Sequence, residues 1–531
     1  MKNIQNTSPT TTKEDDRISE LEEKVEKLEA LINWYQEQFR LKAHQKFGRS
    51  SEKQVEGQLE LSLFNEAETE TIPAEVEEDE PGKNNSEKTK RKKRASLDPN
   101  LPTETMTHSL PLLEQACLDC GNGLHVMKTE IRHEIEIIPA QVKVIKHERE
   151  IYSCRTCERE AIHPPIVSAP IPNPVIPKSM ASPSAVAHIL TQKYMAGLPL
   201  YRIEEQLRHT GIHLSRQTLS NWVIQSANRW IEPIYKMMLA YLLDQSVLHA
   251  DETTLQVLQE DGRDASSKSY MWLYCTGRTS APCALYDYQT TRSSKHPQRI
   301  LQEFEGILHT DGYAGYNNLS GVTLSGCWAH MRRKFVEAQK AAPPSKGGRR
   351  TFTDEAIDRI GAIYKIEKEI TRLEEISVVK DTNLRQRVRQ EKSFPLVEAF
   401  FAWLKKERPS VVPKSNLGKA ITYALNQEKK LLVPFFDGRL DLDNNRAERL
   451  IKPFVIGRKN WLFSNTPKGA KASAMIYSLI VTAKENGLNV FQYLVYLFET
   501  LPNINLEDEK QLHRLLPWSE ELPYACRLST E

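Results

Sequence analysis

From residue 245 the spacing of apolar residues changes, and this change constrains the fold more than any other feature of the chain. "QSVLHADETTLQVL", "SYMWLYCTG" and "APCALYDYQTT" are three successive runs with strand character, the first two joined by a Gly/Asp/Ser-rich turn at 261–269. "KHPQRILQEFEG" has helical spacing, and "ILHTDGYAGY" reads as a strand entering a turn or short helix. "VTLSGCWAHMRRKFVEAQK" reads as a strand running into a helix. A meander followed by crossovers calls for a mixed sheet with helices packed on it. Residues 343–436 are mostly helical in pattern, "FTDEAIDRIGAIYKIEKEITRLEEI" being the clearest periodic run, and are expected to form an insertion.

That order is the order of an RNase H-like sheet, so the expected fold is multidomain α/β with an RNase H-like mixed-sheet core over residues 241–467. In such a sheet the first and fourth strands are neighbours. Asp251 in "LHADETT" and Asp311 in "LHTDGYAGY" would then face one another at one edge. Glu448, in "LDLDNNRAERLIKPFVIGRKNWLF", would come from a helix packed over that edge. Taken singly, these are strand-end aspartates and a surface ion pair. Taken together, three acids suffice to hold Mg2+ or Mn2+ in a two-metal site for phosphodiester chemistry. Arg446, Arg449, Lys452, Arg458 and Lys459 crowd Glu448 in sequence and would grip phosphates. His330, with Arg332 and Arg333 behind it, follows the last core strand. A structural role is the commoner one for a lone histidine, and a phosphate contact is the alternative. Asn444 and Asn445 read as caps of the Glu448 helix. Trp461 reads as buried beside Leu462 and Phe463, or else as a stacking platform for an unpaired base.

The flanking regions read as separate modules. Ile18, Leu21, Val25, Leu28, Ile32, Tyr35 and Phe39 form a heptad seam, so a coiled coil is expected over 15–48 and with it a homo-oligomer. Residues 49–105 read as a charged disordered linker, with eight acids in 66–80 and six bases in "KTKRKKR". Over 106–165, Cys117 and Cys120 in "CLDCGNGL" and Cys154 and Cys157 in "YSCRTCERE" flank the alternating "IRHEIEIIPAQVKVIKHEREIY". Two Cys-x-x-Cys pairs separated by strands fit a four-cysteine zinc ribbon, whose zinc would be structural because no coordination position stays open. Residues 166–240 read as helical and helix-turn-helix-like: "YRIEEQLRHTG" ends at Gly211, and Ser215 caps a helix bearing Arg216, a candidate DNA contact. Residues 468–531 read as a C-terminal helical element.

Composition adds exclusions. With 72 Lys+Arg against 70 Asp+Glu, net charge names no partner. No run approaches 18 apolar residues, so no membrane partner is expected. The first residues lack the apolar core of a signal peptide. The expected location is the cytoplasm, in association with the nucleoid.

The chain resembles a DDE transposase of the insertion sequence 66 family over nearly its whole length. The likeness is carried by "FGRSSEK", "CLDCG" with "YSCRTCE", "KYMAGLPLYRIEEQL", "HADETTLQV", "HTDGYAGYN", "CWAHMRRKF", "DNNRAERLIKPFVIGRKNWLF" and "LLPW". The resemblance implies catalysis by Asp251, Asp311 and Glu448, divalent metal, and cleavage and strand transfer of DNA at the ends of an insertion sequence. It also implies zinc at the four cysteines, a leucine-zipper-like N-terminus, and small companion proteins encoded beside the transposase. Thr103 stands where the family pattern has a basic residue. Two competing expectations are a DNA-binding regulator with a silent core, and a nuclease of the same fold that cuts without transfer.

Overall fold

The computed structural model describes residues 142–152, 167–341, 350–377 and 381–528. The four zinc-ribbon cysteines and the heptad seam lie outside the described residues. Of the alternating stretch before Tyr152, residues 142–150 carry no regular element. Among the described residues of this stretch, only β1 (Ile151–Tyr152) is a strand, paired antiparallel with β2 (Val167–Ser168). Alternation sets which face a strand would bury, but a ladder also needs a partner, and the one described here is two residues long.

Four helices lead into the sheet: α1 (Pro183–Leu190), α2 (Leu200–His209), α3 (Arg216–Ser226) and α4 (Glu232–Leu243). Between α2 and α3, Gly211 turns the chain at φ +85°, and the Ser215 hydroxyl accepts from the Thr218 amide at 3.2 Å. Leu219, Trp222 and Val223 bury one face of α3, while Arg216 stays exposed and pairs with Glu204 at 3.3 Å.

Five strands follow: β3 (Val247–Gln256), β4 (Lys268–Thr276), β5 (Ala284–Gln289), β6 (Gly306–Thr310) and β7 (Val322–Gly326). Their order is β5-β4-β3-β6-β7, with β3, β4 and β5 antiparallel and β6 and β7 parallel to β3. Met271 to Cys275 of β4 are all buried, as a strand covered on both faces requires. The helix α5 (Lys295–Ile300) lies between β5 and β6, and α6 (Trp328–Ala341) leaves β7.

The mixed sheet thus appears where the strand runs predicted it. A helical segment follows: α7 (Phe352–Ser377), α8 (Thr382–Val388), α9 (Phe394–Glu407), α10 (Asn416–Asn426) and α11 (Glu428–Leu432). It buries Ile360, Val397, Phe400, Phe401 and Ile421 against Trp328 and Phe335 of α6, forming a second core. Then come α12 (Asn445–Trp461), α13 (Pro467–Glu485), α14 (Val490–Thr500) and α15 (Glu509–Arg514).

The edge strand β5 is closed by α13. Thr482 Oγ1 accepts from the Ala284 amide at 2.9 Å and donates to the Ala284 carbonyl at 3.1 Å, and Ser478 Oγ accepts from the Tyr286 amide at 2.8 Å. Four residues of helix and two of strand each advance the chain by roughly 6 Å, which is why an i, i+4 pair of hydroxyls matches an i, i+2 pair of strand residues. The arrangement satisfies an edge that would otherwise invite pairing with another chain.

The helical segment is tied to the loop before α12 by one buried cation. Arg389 donates to Glu367 at 2.9 Å and to the carbonyls of Pro434 (2.8 Å) and Leu440 (2.9 Å). Neighbouring Arg385 binds Glu374 at 3.0 Å. Replacing Arg389 with Met leaves two carbonyls without their partner and Glu367 with Arg385 alone, so Arg389→Met is expected to cost about 3–5 kcal/mol in urea unfolding. A change within about 0.5 kcal/mol would show that this loop is not held by Arg389.

Candidate active site

Strand register runs towards two of the predicted acids. Parallel pairing sets Val247 against Ile307, Leu248 against Leu308 and His249 against His309. Continued two residues further, that register brings Asp251 level with Asp311, on the same sheet face as the two histidines. Asp311 lies just past the end of β6, and its Oδ1 accepts from the Tyr313 amide at 2.9 Å. Gly312 follows at φ +94°, where a Cβ would come 2.9 Å from the Tyr423 hydroxyl oxygen. Glycine is required there twice over, for the backbone and for that approach. Tyr423, from α10, donates to the Asp311 carbonyl at 2.6 Å.

The third acid, Glu448, sits in the first turn of α12. The cap expected from Asn444 is not formed: its side chain makes no capping bond and is fully buried instead. Its Nδ2 donates to the Ala250 carbonyl at 2.8 Å, its Oδ1 lies 2.9 Å from His249 Nδ1, and its backbone amide donates to Cys327 Sγ at 3.2 Å. Asp443 supplies the local bond instead, accepting from the Asn445 amide at 3.2 Å. A long-range tether to β3 therefore replaces the cap and fixes where Glu448 stands relative to Asp251.

Glu448 is flanked by α6 rather than by the bases beside it in sequence. His330 Nδ1 lies 3.4 Å from its Oε1 and an Arg333 nitrogen 3.6 Å from its Oε2. Among the described residues, Arg446, Arg449 and Lys452 form no ion pair with it. The Nε of Arg446 is buried without a hydrogen-bond partner. Arg458 turns back to the end of β3, donating to Thr253 Oγ1 and Thr254 Oγ1 at 3.1 Å each. Arg449 and Lys459 are exposed, and Lys452 and Arg332 are half-buried. Trp461, expected to be buried, is half-buried against Phe454, and its neighbours Leu462 and Phe463 are exposed.

Charge is concentrated around Asp251. Burial, then Glu252, and then Asp311 and Glu448 hold its carboxyl well above the usual aspartate range. Glu252 projects to the other face of β3, where Arg292 (2.8 Å) and the Tyr316 hydroxyl (2.8 Å) donate to it. Burial lowers the pKa of His330, with Glu448 pulling the other way. One ligand atom from each of Cys327, His330 and Glu448 lies within 4.8 Å of the others. Sequence reasoning passed over Cys327, whose only signal was its place directly before the "WAH" that opens α6.

Comparison with known proteins now adds the family. Residues 178–472 match the model described as "Transposase IS66 family", spanning all three acids. The chain belongs to the IS66 transposase family. Within it, residues 114–158 match the "zinc-finger binding domain of transposase IS66", which contains all four cysteines. Residues 478–518 match the "IS66 C-terminal element", and 34–106 the "Transposase C of IS166 homeodomain". The chain is 30% identical to the uncharacterized protein y4jD of Sinorhizobium fredii (strain NBRC 101917 / NGR234), across 85% of this chain and 87% of that protein. It is 31% identical to y4hP of the same strain, across 76% and 73%. Membership of a transposase family implies DNA as the partner. Among the described residues, no helix is long and apolar enough to cross a membrane.

The acid cluster predicts a stability signature. A carboxyl whose folded pKa is raised favours the folded state below its unfolded pKa and loses that contribution as pH rises through the folded value. Asp251→Asn is therefore expected to raise the melting temperature of the metal-free IS66 chain at pH 7, by ~2–4 °C for each kcal/mol relieved. The difference should vanish towards pH 3. Added Mg2+ should raise the wild-type melting temperature and leave the variant unmoved. A variant that melts below wild type at pH 7 would show that Asp251 is not under like-charge strain.

Proposed function

We propose that this IS66 chain is a DDE-type transposase, cleaving DNA and transferring strands at the ends of an insertion sequence, and that its mixed sheet is an RNase H-like core. What supports the reading is that the β3–β6 register runs towards Asp251 and Asp311, and that both Asp311 and Glu448, on α12, push the pKa of the Asp251 carboxyl upward. Their charges bear on the half-buried Asp251 carboxyl, which no arginine pairs with among the described residues. The strand order, three antiparallel strands continued by two parallel ones, supports the fold.

The donor set fits a hard divalent cation. Three carboxylates share one edge, and the buried Glu448 Oε1 and His330 Nδ1 have no satisfied hydrogen bond. Asp251, Asp311 and Glu448 would hold Mg2+ or Mn2+, which supplies activation of the attacking oxygen and stabilisation of the leaving one. The protein's own residues do the positioning. Asn444 sets the start of α12 against β3, and Tyr423 steadies the Asp311 backbone. His330 and Arg333 orient the Glu448 carboxylate from α6 and stand where a phosphodiester would approach. Arg332, Arg449, Lys452 and Lys459 along α6 and α12, with Arg216 on α3, provide the phosphate contacts. Arg446 and Arg458 are better placed to brace α12. Cys117, Cys120, Cys154 and Cys157 hold a structural zinc, and the N-terminal heptads assemble the chain into oligomers.

The test is strand transfer with Mg2+ and duplexes carrying the inverted repeats that flank the gene. Glu448→Gln should reduce cleavage and transfer to background while leaving affinity for those ends intact, because the amide keeps shape and loses charge. Arg449→Gln should instead weaken binding and lower the slope of log affinity against log salt by ~1. Near wild-type cleavage by Glu448→Gln would refute the assignment. Cleavage without transfer by the wild-type chain would make it a nuclease.

Zinc has its own measurement. The purified full-length chain should carry about one zinc, and Cys154→Ser should lose it. Retention of stoichiometric zinc by that variant would exclude the four-cysteine site.

A further inference from the structure

The end of α12 carries two exposed apolar side chains on a strained turn. Leu462 adopts φ +66° and ψ −52°, and the Phe463 amide donates back to the Trp461 carbonyl at 2.9 Å. That is a three-residue γ-turn with positive φ at its centre, a conformation that is rare and costs energy for a residue with a Cβ. Leu462 is 64% exposed and Phe463 43%. Strain that displays apolar surface to water needs a reason beyond packing.

The turn is held rigidly to the candidate active site. The Ser464 amide donates to the Gln256 carbonyl at 2.9 Å, and the Leu258 and Gln259 amides donate to the carbonyls of Ser464 and Asn465 at 3.0 Å each. This short parallel extension continues β3, the strand that carries Asp251. On the far side, Thr466 Oγ1 accepts from the Gly469 amide at 3.2 Å and starts α13. Gln256 is five residues beyond Asp251, or roughly 17 Å along the strand. That equals about five base-pair steps of a duplex.

The chain on either side of the turn is rich in bases. Residues 449–484 contain seven Lys and Arg and no Asp or Glu. The Lys193 ammonium lies 5.7 Å from the Trp461 ring centroid and 5.3 Å from that of Tyr194, and makes no ion pair among the described residues. A polyanion approaching this turn would meet bases on the flanks and two apolar side chains at the centre. Phosphates would be held while the side chains enter the base stack.

We propose that Leu462 and Phe463 form a wedge that inserts between base pairs of duplex DNA and unstacks one step near the phosphodiester at the acid cluster. The proposal rests on the DNA-processing reading above and deepens it by naming what this turn does to the substrate. Arg458 gains a purpose here as well. By clamping the last turn of α12 to Thr253 and Thr254, it sets the wedge at a fixed distance from Asp251.

The experiment compares two 30-bp duplexes, one fully paired and one with a central two-base mismatch, titrated with the full-length chain at one salt concentration. A mismatch removes most of the unstacking cost, so a wedge prefers it. Wild type is expected to bind the mismatched duplex roughly tenfold tighter. The variant Leu462→Gly/Phe463→Ser should bind both duplexes alike, with the affinity for the paired one largely retained. Glycine accepts the positive φ, so this variant should melt no lower than wild type, which separates lost insertion from lost folding. A wild type that binds both duplexes equally, or a variant that keeps the preference, overturns the wedge and leaves the DNA reading standing. Binding to neither duplex overturns the DNA reading itself. Weaker self-association of the variant in sedimentation, with its preference unchanged, assigns the patch to a second copy of the chain and also overturns the wedge.

Discussion

The site depends on the buried Asn444, through its side chain and its backbone amide. Four groups from three parts of the chain meet there: the Ala250 carbonyl and His249 ring on β3, Cys327 at the head of α6, and the start of α12 itself. A primary amide carries two donors and an acceptor in one plane, so it can fix both the distance and the rotation of a helix against a strand. Because the junction is fully buried, each bond left unmade would cost the desolvation of its partner. Asp251 is the residue after Ala250, Glu448 is four residues after Asn444, and His330 is three after Cys327. The groups of the candidate site therefore stand one short covalent step from a single hydrogen-bonded point.

The remaining restraint comes from the helical segment after α6. Tyr423 reaches from α10 to the Asp311 carbonyl, and Arg389 holds the carbonyls of Pro434 and Leu440 on the approach to α12. Asp311 lies beyond the last ladder pair of β6, and Glu448 is separated from the sheet by a loop. Neither can be placed by strand pairing alone. The second hydrophobic core supplies rigid points from which both are held, which gives this segment a structural reason to be folded on itself.

Legibility followed the range of the interactions involved. The strands of the sheet were readable because burial on both faces writes continuous apolar runs, as in β4. The adjacency of Asp251 and Asp311 followed from element order. Ser215 and Gly211 were readable because capping is local. Asn444 was misread for the same reason: a local rule makes it a cap, while its partners lie over a hundred residues away. Glu448 was given the wrong neighbours, since the bases beside it in sequence point elsewhere around the helix and those beside it in space come from α6. The alternating run before Tyr152 shows the converse limit, where a pattern suited to a strand finds only a two-residue partner among the described residues.

The electrostatics settle why so many bases surround Glu448 in sequence without neutralising it. An arginine bound directly to the carboxylates would remove their strain and also occupy the place that a cation would take. The bases instead stand one position out: Arg292 neutralises Glu252 on the opposite face, Arg458 is committed to β3, and Arg446, in the first turn of α12, keeps its Nε buried. Among the described residues, only Arg333 and His330 pair with Glu448, at distances longer than a good hydrogen bond. Asp443, one step further along, is pushed up to about 6, chiefly by burial. Asp251 is left as a half-buried acid whose charge is opposed by its own neighbours. Such an arrangement is destabilising for a fold by itself, and under the proposed reading it becomes stabilising once divalent cation and phosphate share the edge.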